Sequence, residues 1–242
     1  MRALRIVSSV GRLARRLWQR HRWSLPLSIG SALSFAHLGS EMREGELDAL
    51  DAAMQRRIGA WRGGVDAPML ALTTVGGLGV MTATTATALA LLVWQRRRRE
   101  ARYLLTTAGG GLALNLILKA IFRRARPAAV QAYLLASPTS MSFPSGHTMG
   151  TTGVVGGLLV VLHVVGAPRE VRRAATVLGV LVVGGVGLSR VYLGAHYPSD
   201  VIGGLFAAAA WVSGVTGWTY PRVLPGESAG DATPEGPPAL RG

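Results

Sequence analysis

Apolar residues along this chain come in blocks of about 20, with charge confined to the stretches between them. A helix needs about 20 apolar residues to cross a bilayer, and shorter blocks manage by local thinning or snorkelling. The pattern predicts six spans, over residues 23–40, 68–94, 103–118, 146–165, 174–188 and 199–218. The first is the weakest, because it carries Pro26, several Ser and His37. The last is rich in Ala and Gly, which let helices approach closely in lipid. Periodicity alone does not separate a buried soluble helix from a span. Block length and abutting Arg runs, such as Arg96 to Arg99, decide the matter. The expected fold class is all-α: a polytopic membrane helix bundle with six transmembrane helices.

Around that bundle the chain divides in three. Residues 1–22 form a basic segment with seven Arg and no acid. Ile6, Val10, Leu13 and Leu17 recur there at helical spacing, which would suit an amphipathic helix on an anionic leaflet. The preferred reading is a positive flank that orients the first span. Residues 23–220 form the membrane domain. Residues 221–242 are rich in Pro and Gly and poor in apolar residues, and are expected to be a disordered tail.

Orientation follows from the placing of Arg. The N-terminus, the loop with Arg96 to Arg99 and Arg102, and the loop with Arg169, Arg172 and Arg173 fall on one side of a six-span chain. That side is expected to be cytoplasmic, with both termini on it, in a multi-pass cell-membrane protein. The 41–66 segment has four Arg against six acids and should be external, with a surface helix near 47–58. Segments 120–144 and 190–198 should be external (periplasmic) too.

Composition narrows the function. Charged residues make up 16% of the chain and hydrophobic ones 49%, whereas soluble domains average about 25% charged. The net charge of +14 sits in membrane flanks rather than over a polar surface, so no nucleic-acid partner is expected. There is no Cys, which excludes disulfides, and the only Lys is Lys119.

Three short stretches on the expected external side can carry chemistry. In the first, Lys119 ends a span and Arg126-Pro127 follows; on a continuing helix Lys119, Arg123 and Arg126 share a face, although such cations often only snorkel. In the second, Pro144-Ser145-Gly146-His147 opens a span. Ser caps well, Gly lets a backbone approach an anion, and free N–H groups make an anion site. By itself it reads as a plain cap with a surface His. In the third, Ser189-Arg190 precedes His196 and Asp200, which stand four residues apart; a carboxylate on one imidazole nitrogen makes the other a better nucleophile. Together they offer clustered cations, N–H donors, two His and an Asp, a set suited to phosphoryl transfer without a metal.

These stretches resemble the signature of the type 2 phosphatidic acid phosphatase superfamily: Lys, six residues, Arg-Pro; Pro-Ser-Gly-His; Ser-Arg, five residues, His, three residues, Asp. Every fixed position is met in order between Lys119 and Asp200, with gaps of 16 and 41 residues. The resemblance implies His196 as nucleophile, Asp200 as its orienting carboxylate and His147 as general acid. It implies that Lys119, Arg126, Arg190, Ser145 and the N–H of Gly146 hold the phosphate. Ser189 belongs to the pattern without a derived role; Arg123, Arg124 and Asn115 lie outside it. The function expected is hydrolysis of a lipid phosphate or pyrophosphate of the phosphatidic acid, phosphatidylglycerophosphate or undecaprenyl pyrophosphate type, without cofactor, metal or obligate protein partner. A lipid phosphotransferase is the alternative. A metal-binding protein and a non-catalytic scaffold or transporter are less favoured, because three cations would repel a metal and the constellation is intact.

Overall fold

The computed structural model describes residues 23–61, 63–127 and 140–221. The basic 1–22 segment and all but the first residue of the expected disordered tail lie outside the described residues. Among the described residues eight helices make up the regular structure: α1 Ser24–Glu44, α2 Asp48–Gly59, α3 Asp66–Val75, α4 Leu78–Trp94, α5 Arg98–Phe122, α6 Gly146–Val164, α7 Arg169–Tyr192 and α8 Pro198–Thr219. The class is all-α, as the block pattern implied.

Four or five of the six expected spans meet the length and composition of a membrane helix among the described residues. By length and composition α5, α6, α7 and α8 can each cross a membrane, and α3 with α4 gives a fifth span bent by 44°. The single helix expected over 68–94 is therefore broken. At the break Gly77 leaves the helical region for an extended conformation (φ −67°, ψ 153°). Gly76 packs so closely on Val186 that a Cβ there would collide. Helix α1 has 21 residues, and at about 1.5 Å rise per residue it is long enough. Its Ser24, Ser28, Ser31, Ser34 and His37 leave it too polar to qualify by composition. It lies along α8, where Ser28 Oγ donates to the Ala210 carbonyl at 2.9 Å. The outward faces of α5 and α7 carry exposed Leu116, Ile117, Ile121, Val177, Leu178 and Leu181. Apolar faces of this extent suit lipid contact.

Helix α6 is central and packs on α4, α5, α7 and α8. One contact sets the position of its N-terminus. A Cβ on Gly204 of α8 would lie 2.9 Å from the Ser145 carbonyl oxygen and 3.2 Å from the Met149 nitrogen. Both are backbone atoms, so only Gly permits this approach. The approach lets the Ser145 N–H donate to the Asp200 carbonyl at 2.9 Å. The loop before α6 is pinned by Phe143, which stacks on Phe35 (5.4 Å between centroids) and meets Phe122 edge-on (4.8 Å).

Candidate active site

Helix α7 ends at Tyr192 and the chain turns sharply. Gly194 takes the left-handed conformation (φ 68°) that closes many helices. The amides of Ala195 and His196 then donate back to the Arg190 carbonyl at 3.0 and 3.2 Å. Helix α8 starts two residues after His196, with Pro198 at its first position. Asp200 sits in its first turn, where the helix dipole favours a carboxylate, and Asp200 Oδ2 accepts the Tyr197 N–H at 2.9 Å. The turn and the helix start bring His196 and Asp200 face to face, both fully buried, with Nδ1 3.3 Å from Oδ2.

The hydrogen bonds fix the tautomer. Arg126 places a guanidinium nitrogen 3.1 Å from His196 Nε2. A guanidinium only donates, so Nε2 accepts, and the ring proton is on Nδ1, directed at Asp200. Burial pushes the His196 imidazole down to about 3; Asp200 opposes the fall, and Arg126 and Arg190 add to it. The ring is therefore neutral around pH 7, with its lone pair on the nitrogen that meets the cation.

The other sequence-predicted residues lie around this pair. Arg126 also donates to Ser140 Oγ (2.6 Å) and the Ala195 carbonyl (2.7 Å). Burial lowers the Arg126 guanidinium below its ordinary value, and Asp200 offsets the fall in part. Lys119 Nζ donates to the carbonyls of Met141 (2.7 Å) and Ser142 (3.1 Å). Arg190 is buried, donates to Thr73 Oγ1 at 2.6 Å, and keeps its Nε buried without a partner. Ser145 is fully buried and caps α6, accepting from the Thr148 N–H and hydroxyl at 3.4 and 3.1 Å. Gly146 lies against Lys119: a Cβ there would fall 3.8 Å from Lys119 Cε. His147 lies within electrostatic reach of Arg190, Arg126 and Lys119. Ser189 Oγ donates to the Val186 carbonyl of its own helix at 2.6 Å, which is a structural bond rather than a contact to the site.

Three participants lay outside the motif. Ser142 hydrogen-bonds to Asp200 Oδ2. Arg124 donates to Asp200 Oδ1 at 2.9 Å and pairs with Asp51 at 2.8 Å. Arg124 lies two residues before Arg126-Pro127 in an Arg-rich run, a weak signal; Ser142 and Asp51 offered none. Among the described residues no three His, Asp or Glu side chains gather closely enough to hold a metal ion. A guanidinium already occupies the open nitrogen of His196, an arrangement that would repel a cation.

An apolar cavity of about 460 Å³ reaches this site from between α4, α5 and α6. Leu78, Met81, Leu89, Leu105, Leu112 and Val154 line it, and Asn115, Gly146 and His147 close its polar end.

A bundle of apolar helices that buries a His–Asp pair among guanidinium groups, beside an apolar cavity, defines a membrane protein with a buried, cation-lined polar site. The chain belongs to the PAP2 superfamily, whose model matches residues 100–224. It is 34% identical over 115 residues to phosphatidylglycerophosphatase B of Bacillus subtilis, covering 47% of this chain and 55% of that protein. The chain thus spans little more than half the length of that relative. It is 32% identical over 168 residues to decaprenylphosphoryl-5-phosphoribose phosphatase of Mycolicibacterium smegmatis, covering 68% of this chain and 84% of that one. Its fold is similar to the crystal structure of a transmembrane PAP2-type phosphatidylglycerolphosphate phosphatase from Bacillus subtilis. That likeness has a TM-score of 0.72 at 24% identity and covers 80% of this chain and 96% of the other.

Proposed function

We propose that the protein is a membrane lipid phosphate phosphatase that works through a phosphohistidine on His196, without a metal. The observation that carries this reading is the neutral, Asp200-oriented imidazole whose Nε2 meets Arg126. An incoming phosphate draws the Arg126 donors to its own oxygens and uncovers Nε2. Arg190, with its unpartnered Nε, Lys119 and the N–H groups at the start of α6 hold the remaining oxygens. The Nε2 lone pair attacks phosphorus and the ester P–O bond breaks, while His147 gives its proton to the departing oxygen. Water then attacks the phosphohistidine as His147 takes back a proton, the N–P bond breaks, and phosphate leaves.

The apolar cavity ending at His147 favours a hydrocarbon-tailed substrate over a soluble one. Both relatives are named for lipid phosphates, one acyl and one prenyl. Phosphatidic acid, phosphatidylglycerophosphate and undecaprenyl pyrophosphate are the types to compare. Purified protein should release inorganic phosphate from at least one of them in the presence of a chelator. Transfer to a second lipid with no phosphate released would favour a phosphotransferase, and loss of activity in chelator would overturn the metal-free reading.

We assign the site to the external face, with six spans and cytoplasmic termini. In support, the site gathers at the Lys119 end of α5, away from the Arg96 to Arg99 run that precedes and begins it. Cysteines at Ser40 and Ser137 should react with an impermeant reagent on intact cells, and one at Gln95 should not. The reverse pattern would move the chemistry to the cytoplasm.

A further inference from the structure

A helix on a protein surface holds itself down by burying an apolar stripe. Helix α2 buries little of one: Ile58 packs in part on Met69, Tyr192 and Leu193, Leu50 and Met54 stay exposed, and its one fully buried residue is Asp51, at 2% exposure. A buried carboxylate is costly unless it is paired and hydrogen-bonded. Asp51 is both. Its Oδ2 takes Arg124 at 2.8 Å and the Ser199 hydroxyl at 2.5 Å, and its Oδ1 accepts the Ser199 N–H at 3.0 Å. Ser199 is in the first turn of α8, so Asp51 caps that helix from another part of the chain.

Arg124 joins the two carboxylates. Its NH2 faces Asp51, while its NH1 donates to Asp200 Oδ1 (2.9 Å) and Ser199 Oγ (2.7 Å). Its guanidinium lies over the Tyr197 ring, 4.1 Å from the centroid. Asp200 thus receives one guanidinium nitrogen on Oδ1 and keeps Oδ2 for His196, Ser142 and the Tyr197 N–H.

We infer that Asp51 is a positioning residue for the reaction: by holding one side of Arg124, it keeps Asp200 turned toward His196. This rests on the reading of His196 as nucleophile. Without the charge at position 51, Arg124 keeps Asp200 as its only buried carboxylate partner among the described residues, beside the exposed Asp48 at 3.6 Å. Both guanidinium nitrogens can then close on Asp200 in the fork geometry that carboxylates favour, and draw it off Nδ1. The phosphate-holding groups are untouched, so the loss falls on turnover rather than on substrate binding.

The test is a double-mutant cycle on the purified full-length protein with a lipid phosphate substrate. The cycle comprises wild type, Asp51→Asn, Arg124→Gln and the double variant, with His196→Ala as control. Asp51→Asn should lower kcat about 10- to 100-fold, the cost of a small misplacement of reacting groups. KM should stay within about twofold of wild type. In the Arg124→Gln background the same change should cost little more, because the path through Arg124 is already cut. Asp51→Glu keeps the charge and should recover part of the loss. If Asp51→Asn elutes as aggregate, Asp51→Glu takes its place in the cycle, with a smaller loss that also vanishes in the Arg124→Gln background. An unchanged kcat, a rise in KM alone, or an equal loss in both backgrounds would overturn the inference. Wild type that matches His196→Ala would instead remove the reading of the nucleophile.

Discussion

His196→Ala is expected to be inactive on both a lipid phosphate and p-nitrophenyl phosphate, whereas His147→Ala should lose only the first. The two histidines differ in setting. His196 is buried, with one nitrogen on Asp200 and the other on Arg126, and on the proposed mechanism this second nitrogen attacks phosphorus. His147 stands at the polar end of the apolar cavity, where the departing oxygen of a lipid would lie. An alkoxide is a poor leaving group and needs a proton in the transition state, and such general acid help is worth about 10² to 10⁴-fold. p-Nitrophenolate leaves without it. His147→Ala should therefore lose about 10² to 10⁴-fold on the lipid and far less on the activated ester. Equal losses on both substrates in both variants would remove the division of labour. A His196→Ala variant that alone kept the activated substrate would reverse the roles.

The second large effect is expected at Lys119. It is the one Lys in an Arg-rich chain. Its ammonium fits between the Met141 and Ser142 carbonyls, at 2.7 and 3.1 Å, with the Gly146 backbone beside its stem. That loop also carries the Ser142 hydroxyl to Asp200. A planar guanidinium is larger and points its donors in a fixed fork, so it cannot occupy this gap and also reach a phosphate. Lys119→Arg should fold and insert normally yet lose about 10²-fold in kcat/KM, the scale of a misplacement near the reacting atoms. Activity within about threefold of wild type would mean that Lys119 is only a snorkelling flank.

Some of this was legible in the sequence because residue type alone carries the information. Long apolar blocks between Arg runs can hardly be anything but helices in lipid. The triplet of motifs from Lys119 to Asp200 names groups whose chemistry belongs together. What the sequence left hidden depends on placement in three dimensions. Asp51 and Arg124 are 73 residues apart, and no local pattern joins an acid on a polar surface helix to an Arg beside a motif. Ser142 acts because Phe143 is clamped by Phe35 and Phe122, a packing fact. The break in the second expected span is a matter of backbone freedom at Gly76-Gly77, to which a hydropathy window is blind. For α1 length and composition point different ways, since its 21 residues suit a span and its Ser content does not.

Identification of the covalent intermediate tests the central claim most directly. Purified wild-type protein is mixed with a lipid carrying a radiolabelled terminal phosphate, quenched in alkali to preserve an N–P bond, and digested. The label should appear on His196, vanish in His196→Ala, and pass to inorganic phosphate when the reaction runs on in water. Label on His147 instead, or phosphate release with no labelled residue at any time, would contradict a phosphohistidine at His196.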